Sequence, residues 1–262
     1  MVNPTGLAVL YAVLCWWFST GVILWLDRLH PRTFPISMTF WTLLLALSFL
    51  GVHQSMRLDS EFNAYLGFSS VIVMWGWHEL AFLTGIITGP RKIPLDIGAQ
   101  GWRRFIQSVA VILHHELVLL LNFAVLWWMQ IGQPNHIAIC TFALLWCMRL
   151  SAKLNLFFGV RQSGAEYLPP QLTYLASYFR HSGITLWFVF SMSLSVVAWV
   201  WLVQMAQSGT LPITTNVVLL AALLGLAIVE HVVMLMPWTL EKIWGWAIDS
   251  KPVLINAPLR SE

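Results

Sequence analysis

Residues 7–26 read LAVLYAVLCWWFSTGVILWL, twenty consecutive positions without a charged side chain, closed by Asp27 and Arg28. At a rise of about 1.5 Å per residue, a helix of this length reaches across a hydrocarbon core of about 30 Å. The stretch before it has no basic region and the run is longer than a signal-peptide core, so a retained helix is expected here.

The rest of the chain repeats the pattern. Long apolar runs punctuated by Pro, Gly and charge fall at roughly 7–26, 36–53, 64–87, 104–130, 136–158, 184–206 and 215–237. Of the 262 residues 58% are hydrophobic and only 10% charged, against roughly a quarter charged in soluble proteins. That deficit cannot clothe a water-facing surface. The reading is an all-α fold: a polytopic membrane helix bundle of about seven transmembrane helices, one domain over 1–262, with the lipid membrane as its first partner.

Other classes are set aside on composition. A net charge of +3, with basic residues scattered among loops, offers no stripe or motif for nucleic acid. Cys15, Cys140 and Cys147 all sit inside apolar runs and form no CxxC pair, so neither a disulfide framework nor a zinc knuckle is expected. No Gly-rich phosphate loop, nucleophile elbow or dinucleotide fingerprint is present.

Orientation follows from Lys and Arg, which cytoplasmic loops retain. With seven crossings, eleven basic residues fall on one side: Arg28, Arg32, Arg91, Lys92, Arg103, Arg104, Arg161, Arg180, Lys242, Lys251 and Arg260. The other side receives only Arg57. The asymmetry places the N-terminus in the periplasm and the C-terminus in the cytoplasm. Two segments on the basic side carry apolar residues at helical spacing. Near 170–180 these are Leu172, Leu175, Tyr178 and Phe179; near 238–248 they are Leu240, Ile243, Trp244 and Ala247. Each suits either a helix lying at the headgroups or one packed under the bundle.

Ionisable groups inside a span face the bundle interior and pair with something, because lipid cannot solvate them. The third run carries His78 and Glu79, the fourth His114, His115 and Glu116, the fifth Arg149 and Lys153, and the seventh Glu230 and His231; the sixth carries none and is expected to face lipid or an apolar partner. Measured along their helices, His78, Glu79, His114, His115, Glu116, Arg149 and Glu230 fall at a similar depth in the basic half, about 10 to 18 Å from the helix ends. One shared intramembrane polar cluster is the economical expectation. Arg149 and Lys153 are four apart and share a helix face, and Ser108, His115 and Asn122 form a stripe at intervals of seven.

The chemistry of that cluster stays open at this level. It reads as an ion-pair network, in which Arg149 and Lys153 neutralise Glu79, Glu116 and Glu230. It also reads as a His/Glu metal site suited to iron or zinc, although neither the Glu-x-x-His nor the His-Glu-x-x-His spacing is present. A third reading is a cofactor-binding His78 ligating a tetrapyrrole axially beside Trp75 and Trp77, and a fourth is a proton path through carboxylates and histidines. No broken-helix pair in matching halves supports a transporter.

Several strings together carry a family resemblance: WWFSTG at 16–21, WGWHELAFLTG at 75–85, TGPR at 88–91, GWRRF at 101–105, HHE at 114–116, RLSAKLN at 149–155, YFR at 178–180 and EH at 230–231. In this combination, over nearly the whole length, the chain resembles the PuhE family of photosynthetic complex assembly proteins from purple and related phototrophic bacteria. The resemblance implies a factor encoded with reaction-centre genes and residing in the inner (intracytoplasmic) membrane; it leaves the molecular activity open, with an enzyme the less favoured reading. It implies help in assembling the reaction centre and its core antenna, or modulation of their bacteriochlorophyll supply. Reaction-centre and light-harvesting subunits are the implied protein partners, and bacteriochlorophyll or a metal ion the implied cofactor. No catalytic residue is carried over. The alternative is a membrane enzyme of tetrapyrrole or pigment metabolism using a His/Glu metal centre.

Overall fold

The computed structural model describes residues 4–165, 168–208, 214–236 and 244–248. Seven long helices appear among them: α1 (Pro4–Leu26), α2 (Phe34–Met56), α3 (Glu61–Leu83), α4 (Gly101–Gln130), α5 (Ile137–Phe158), α6 (Leu186–Gln207) and α7 (Thr214–Val233). Each is long and apolar enough to cross a membrane. Backbone polar groups in lipid must be satisfied within the segment, which is why every apolar run becomes a helix.

The helices differ in how much of themselves they hide. In α3 fourteen of 23 residues are buried, and it packs against α1, α2, α4, α5 and α7, so it is the central post. In α6 only Phe188 and Ser191 are buried; it packs on α7 and α5 and turns Leu186, Phe190, Leu194, Val197 and Trp201 outward. α6, which carries no Asp, Glu, Lys, Arg or His, is thus the helix with least of itself buried. Small residues let α2 and α3 approach closely. A Cβ on Gly67 would strike Ser55 and Ile137, and one on Gly76 would strike the Trp41 ring.

One end of the bundle is closed by asparagines. Buried Asn135, between α4 and α5, donates its backbone N–H to Met56 O at 3.2 Å and accepts from Asn216 Nδ2 at 3.2 Å. Asn63 donates to Leu58 O at 2.8 Å, and Ser60 caps α3 by accepting the Asn63 N–H.

The other end carries Arg28, Arg32, Arg91, Lys92, Arg103, Arg104, Arg161 and Arg180 and is more elaborate. The connection after α3 folds back along α4: Thr88 O accepts the His115 N–H at 2.8 Å, and Gly89 lies against the α4 backbone at Ala110 and Val111, where a Cβ would collide. Non-helical backbone so close to the membrane is tolerated because it is buried in protein. Beneath it, Pro170–Tyr178 forms a 3-10 helix whose Leu172, Leu175 and Tyr178 are buried against Phe82 and Val111. Arg104 fastens this layer, donating to both Phe157 O and Tyr178 O at 2.8 Å.

Of the second amphipathic stretch, 238–243 lies outside the described residues; Trp244 precedes a single helical turn, Gly245–Ile248, packed on α1. Trp244 Nε1 donates to Trp17 O at 3.0 Å, and Gly21 has no room for a Cβ beneath Trp246.

Two helices end about a full turn earlier than the sequence expectation. α3 stops at Leu83 instead of 87, where Thr84 donates its N–H to Leu80 O and Gly85 follows at φ +76°, a conformation glycine tolerates. α7 stops at Val233 instead of 237. Glu79 and Glu230 therefore lie about 6 and 5 Å from their helix ends, nearer the basic surface than the longer helices implied.

Candidate functional site

The intramembrane ionisable residues fall into two ion pairs and one carboxylate held differently. Arg149 of α5 donates through Nη2 to Glu79 Oε2 of α3 at 2.7 Å. Lys153, one turn further along α5, donates to Glu116 Oε1 of α4 at 2.5 Å, and Trp146 Nε1 donates to Glu116 Oε2 at 3.0 Å. Lys153 also lies 5.4 Å above the Phe82 ring. The i, i+4 spacing on one face of α5 thus clamps α3 with one cation and α4 with the other.

Glu230 of α7 has no ion pair among the described residues. Its Oε1 accepts the Trp16 indole N–H of α1 at 3.1 Å. Its neighbour His231 is buried, with Nδ1 2.8 Å from Ala227 O and Nε2 3.1 Å from Ser151 Oγ of α5. Donation from Nδ1 to the carbonyl leaves Nε2 to accept from the serine hydroxyl.

His78 and His115 form a separate buried layer. The Asn122 amide meets His78 Nε2 at 2.7 Å, and the His78 ring is enclosed by Trp75, Trp77 and Phe142. The His115 ring meets that of Phe82 at 4.7 Å between centroids, tilted by 51°. His78 Nδ1, His115 Nε2 and Thr88 Oγ1 are buried without a hydrogen-bond partner. His78 is 2% exposed, with one ring nitrogen already engaged, and it does not line the cavity described next. His114 stands apart: a 100° turn from His115 leaves its side chain exposed.

A cavity of about 530 Å³ opens between α1, α3, α5 and α7 toward the basic end. Glu79, Arg149, Glu230 and His231 line it, with Trp16, Trp75 and Trp244 as aromatic wall, and Arg28 and residues 162–164 belong to its lining from the loops at the basic end. Its size lies in the ordinary range for small-molecule sites. Among the described residues, no group of three or more His, Cys, Asp or Glu side chains is arranged to hold a metal ion.

Outside the spans, two aspartates sit in opposite environments. Asp96 accepts from Arg103 at 2.7 Å, Gln107 at 2.7 Å and Arg91 at 2.5 Å, and these donors hold its carboxyl down at about 2. Asp27, just past α1, is buried with Oδ1 unbonded, and burial pushes its carboxyl up to about 7 despite the adjacent Arg28.

Sequence reading missed Trp16, Trp146, Ser151 and Thr88. A buried indole N–H must find an acceptor, which is the signal Trp16 and Trp146 carried; Ser151 and Thr88 carried none. With sixteen tryptophans in the chain, that signal selects none in particular.

The fold and site define a multi-pass α-helical membrane protein whose interior is cross-linked by ion pairs and hollowed by one charged cavity. The chain belongs to the family described as "Protein of unknown function (DUF3623)", which matches residues 1–253. It is 37% identical, over 95% of its own length and 93% of the relative's, to a Rhodobacter capsulatus protein described as "Uncharacterized 30.4 kDa protein in puhA 5'region". This agrees with the PuhE resemblance, and with a multi-pass protein of the bacterial inner membrane associated with a photosynthetic gene cluster. No solved structure matches the chain.

Proposed function

We propose that this protein is an assembly factor for the photosynthetic reaction centre and its core antenna, acting in the inner membrane and modulating bacteriochlorophyll supply to them. The observation that carries the reading is the full-length relationship to a protein in the puhA 5' region. The interior supports it: Arg149–Glu79 and Lys153–Glu116 read as scaffold contacts holding α3, α4 and α5 in register. The metal-dependent enzyme has no comparable support, since no donor set converges among the described residues. The N-terminus is periplasmic and the C-terminus cytoplasmic, on the strength of the basic-residue asymmetry.

Deletion of the gene in a phototrophic host tests the function. Reaction-centre and core-antenna absorbance per cell should fall and return with the wild-type chain; unchanged yields would refute the assembly role. Reporters inserted in the 131–135 loop and fused after Glu262 should be periplasmic and cytoplasmic respectively, and finding both on one side would overturn the orientation.

A further inference from the structure

The cavity between α1, α3, α5 and α7 holds a carboxylate with no ion-pair partner among the described residues. Arg149 is paired with Glu79 at 2.7 Å, and Arg28 stands 4.0 Å from Asp27. Glu230, which also lines the cavity, has only the neutral Trp16 N–H as a donor at 3.1 Å. Its second oxygen receives no hydrogen bond among the described residues. Glu79 offers a ligand little: it is 9% exposed, its Oε2 is held by Arg149 and its Oε1 is buried.

The aromatic residues lining the same space complete a recognisable chemistry. Trp16 and Trp244 meet edge to face at 5.3 Å, and Trp75 lines the cavity as well. Indole faces attract organic cations, most strongly where water is excluded. A carboxylate beside indoles suits a group that is positive, compact and rich in donors. A primary ammonium, with three N–H bonds, satisfies all three conditions. Hydroxyl compounds supply donors without charge, and anions would meet Glu230.

We propose that this cavity binds a primary ammonium group, with Glu230 as its counter-ion and Trp16 and Trp244 as its aromatic wall. The depth fits such a ligand: Glu230 lies about 5 Å, one turn, from the end of α7 at the basic surface. A free amine from the aqueous side and the ethanolamine headgroup of a membrane lipid both reach that level. The site is independent of the assembly role, and its test needs no photosynthetic complex.

The experiment uses the full chain in phosphatidylglycerol nanodiscs at pH 7.5, with thermal unfolding followed by tryptophan fluorescence. One arm titrates ethanolamine against ethylene glycol, which replaces the ammonium by a hydroxyl. The second arm adds phosphatidylethanolamine to the disc. An amine present at ten times its dissociation constant should raise the midpoint by roughly 3 °C, and ethylene glycol should not. A shift with ethanolamine marks a soluble amine as sufficient; a shift only with the lipid assigns the headgroup. Glu230→Gln should abolish the response. Trp244→Leu, which leaves every bundle ion pair in place, should weaken it roughly tenfold and serves if the first variant does not fold. The proposal is overturned if neither amine shifts the midpoint, as a permanently protonated Glu230 would dictate. An equal shift with ethylene glycol, or an undiminished response in both variants, overturns it too.

Discussion

Glu79 and Glu230 face one cavity, a turn from the ends of their helices, yet the bundle treats them differently. Glu79 is locked to a guanidinium on the neighbouring helix; Glu230 receives one neutral indole hydrogen bond from a helix 214 residues away in sequence. The first arrangement joins α3 to α5 and leaves little of the carboxylate accessible. The second leaves a carboxylate oriented but not neutralised. Structure is carried by the side of the cavity where charges are matched, and the capacity to take a ligand lies on the side where they are not.

The largest effect should come from breaking the matched side. Arg149→Ala leaves Glu79 buried and unpaired; with 37% of the Arg149 side chain open to the cavity, the loss should lie at the low end for such pairs, about 3 kcal/mol. Glu79→Gln in the same chain should recover part of it. Glu230→Gln alone should be close to neutral, because an amide still accepts the Trp16 N–H. Thermal unfolding in mild detergent and steady-state level in the membrane, scored as a double-mutant cycle, measure all three. If no recovery follows from Glu79→Gln, or if Glu230→Gln proves as damaging as Arg149→Ala, the distinction between the two carboxylates fails.

A smaller effect is expected at Asp27, a surface counterpart of the unmatched carboxylate. Its carboxyl is raised from 3.8 to about 7, so the folded state binds the proton more tightly than the unfolded state between those values. Stability from this group therefore falls as pH rises from about 4 to 7 and stays low above that. Asp27→Asn should remove the decline and stabilise the protein at pH 8 by about 2 kcal/mol, with little change at pH 4. A wild-type midpoint that does not drop more steeply than the variant's over that window would contradict the burial argument.

The smallest effect belongs to Asp96, the matched carboxylate in water. Its three donors lower its carboxyl from 3.8 to about 2, so its stabilisation is complete above 3.8 and disappears as pH falls through about 2. Asp96→Asn should lower the midpoint slightly at neutral pH and leave it unchanged at the acid limit, because water and salt screen an exposed pair. A loss as large as that of Arg149→Ala would mean the basic-end layer carries more of the fold than its exposure suggests.

Much of this was legible in the residues. Seven apolar runs in a chain that is 10% charged leave a membrane helix bundle as the consistent fold. The sixth run, expected to face lipid or an apolar partner because it carries no ionisable residue, is the helix with least of itself buried. Arg149 and Lys153 share a face of α5 as their spacing requires, and both found carboxylates. What sequence could not supply was partnership. The stripe of Ser108 and His115 with Asn122 marked the face of α4 that turns inward and leaves His114 outward, but only packing decides that this face meets His78 and Phe82. The separation of Glu79 from Glu230 likewise depends on which helix stands opposite each. That is set by close contacts such as Gly67 on Ser55 and Ile137, and by Trp16 projecting from α1 toward α7. Span length and charge are local properties, fixed by what lipid will solvate. Partnership is non-local, because a buried charge is neutralised by whatever group packing brings within about 3 Å, and no sequence spacing specifies that distance.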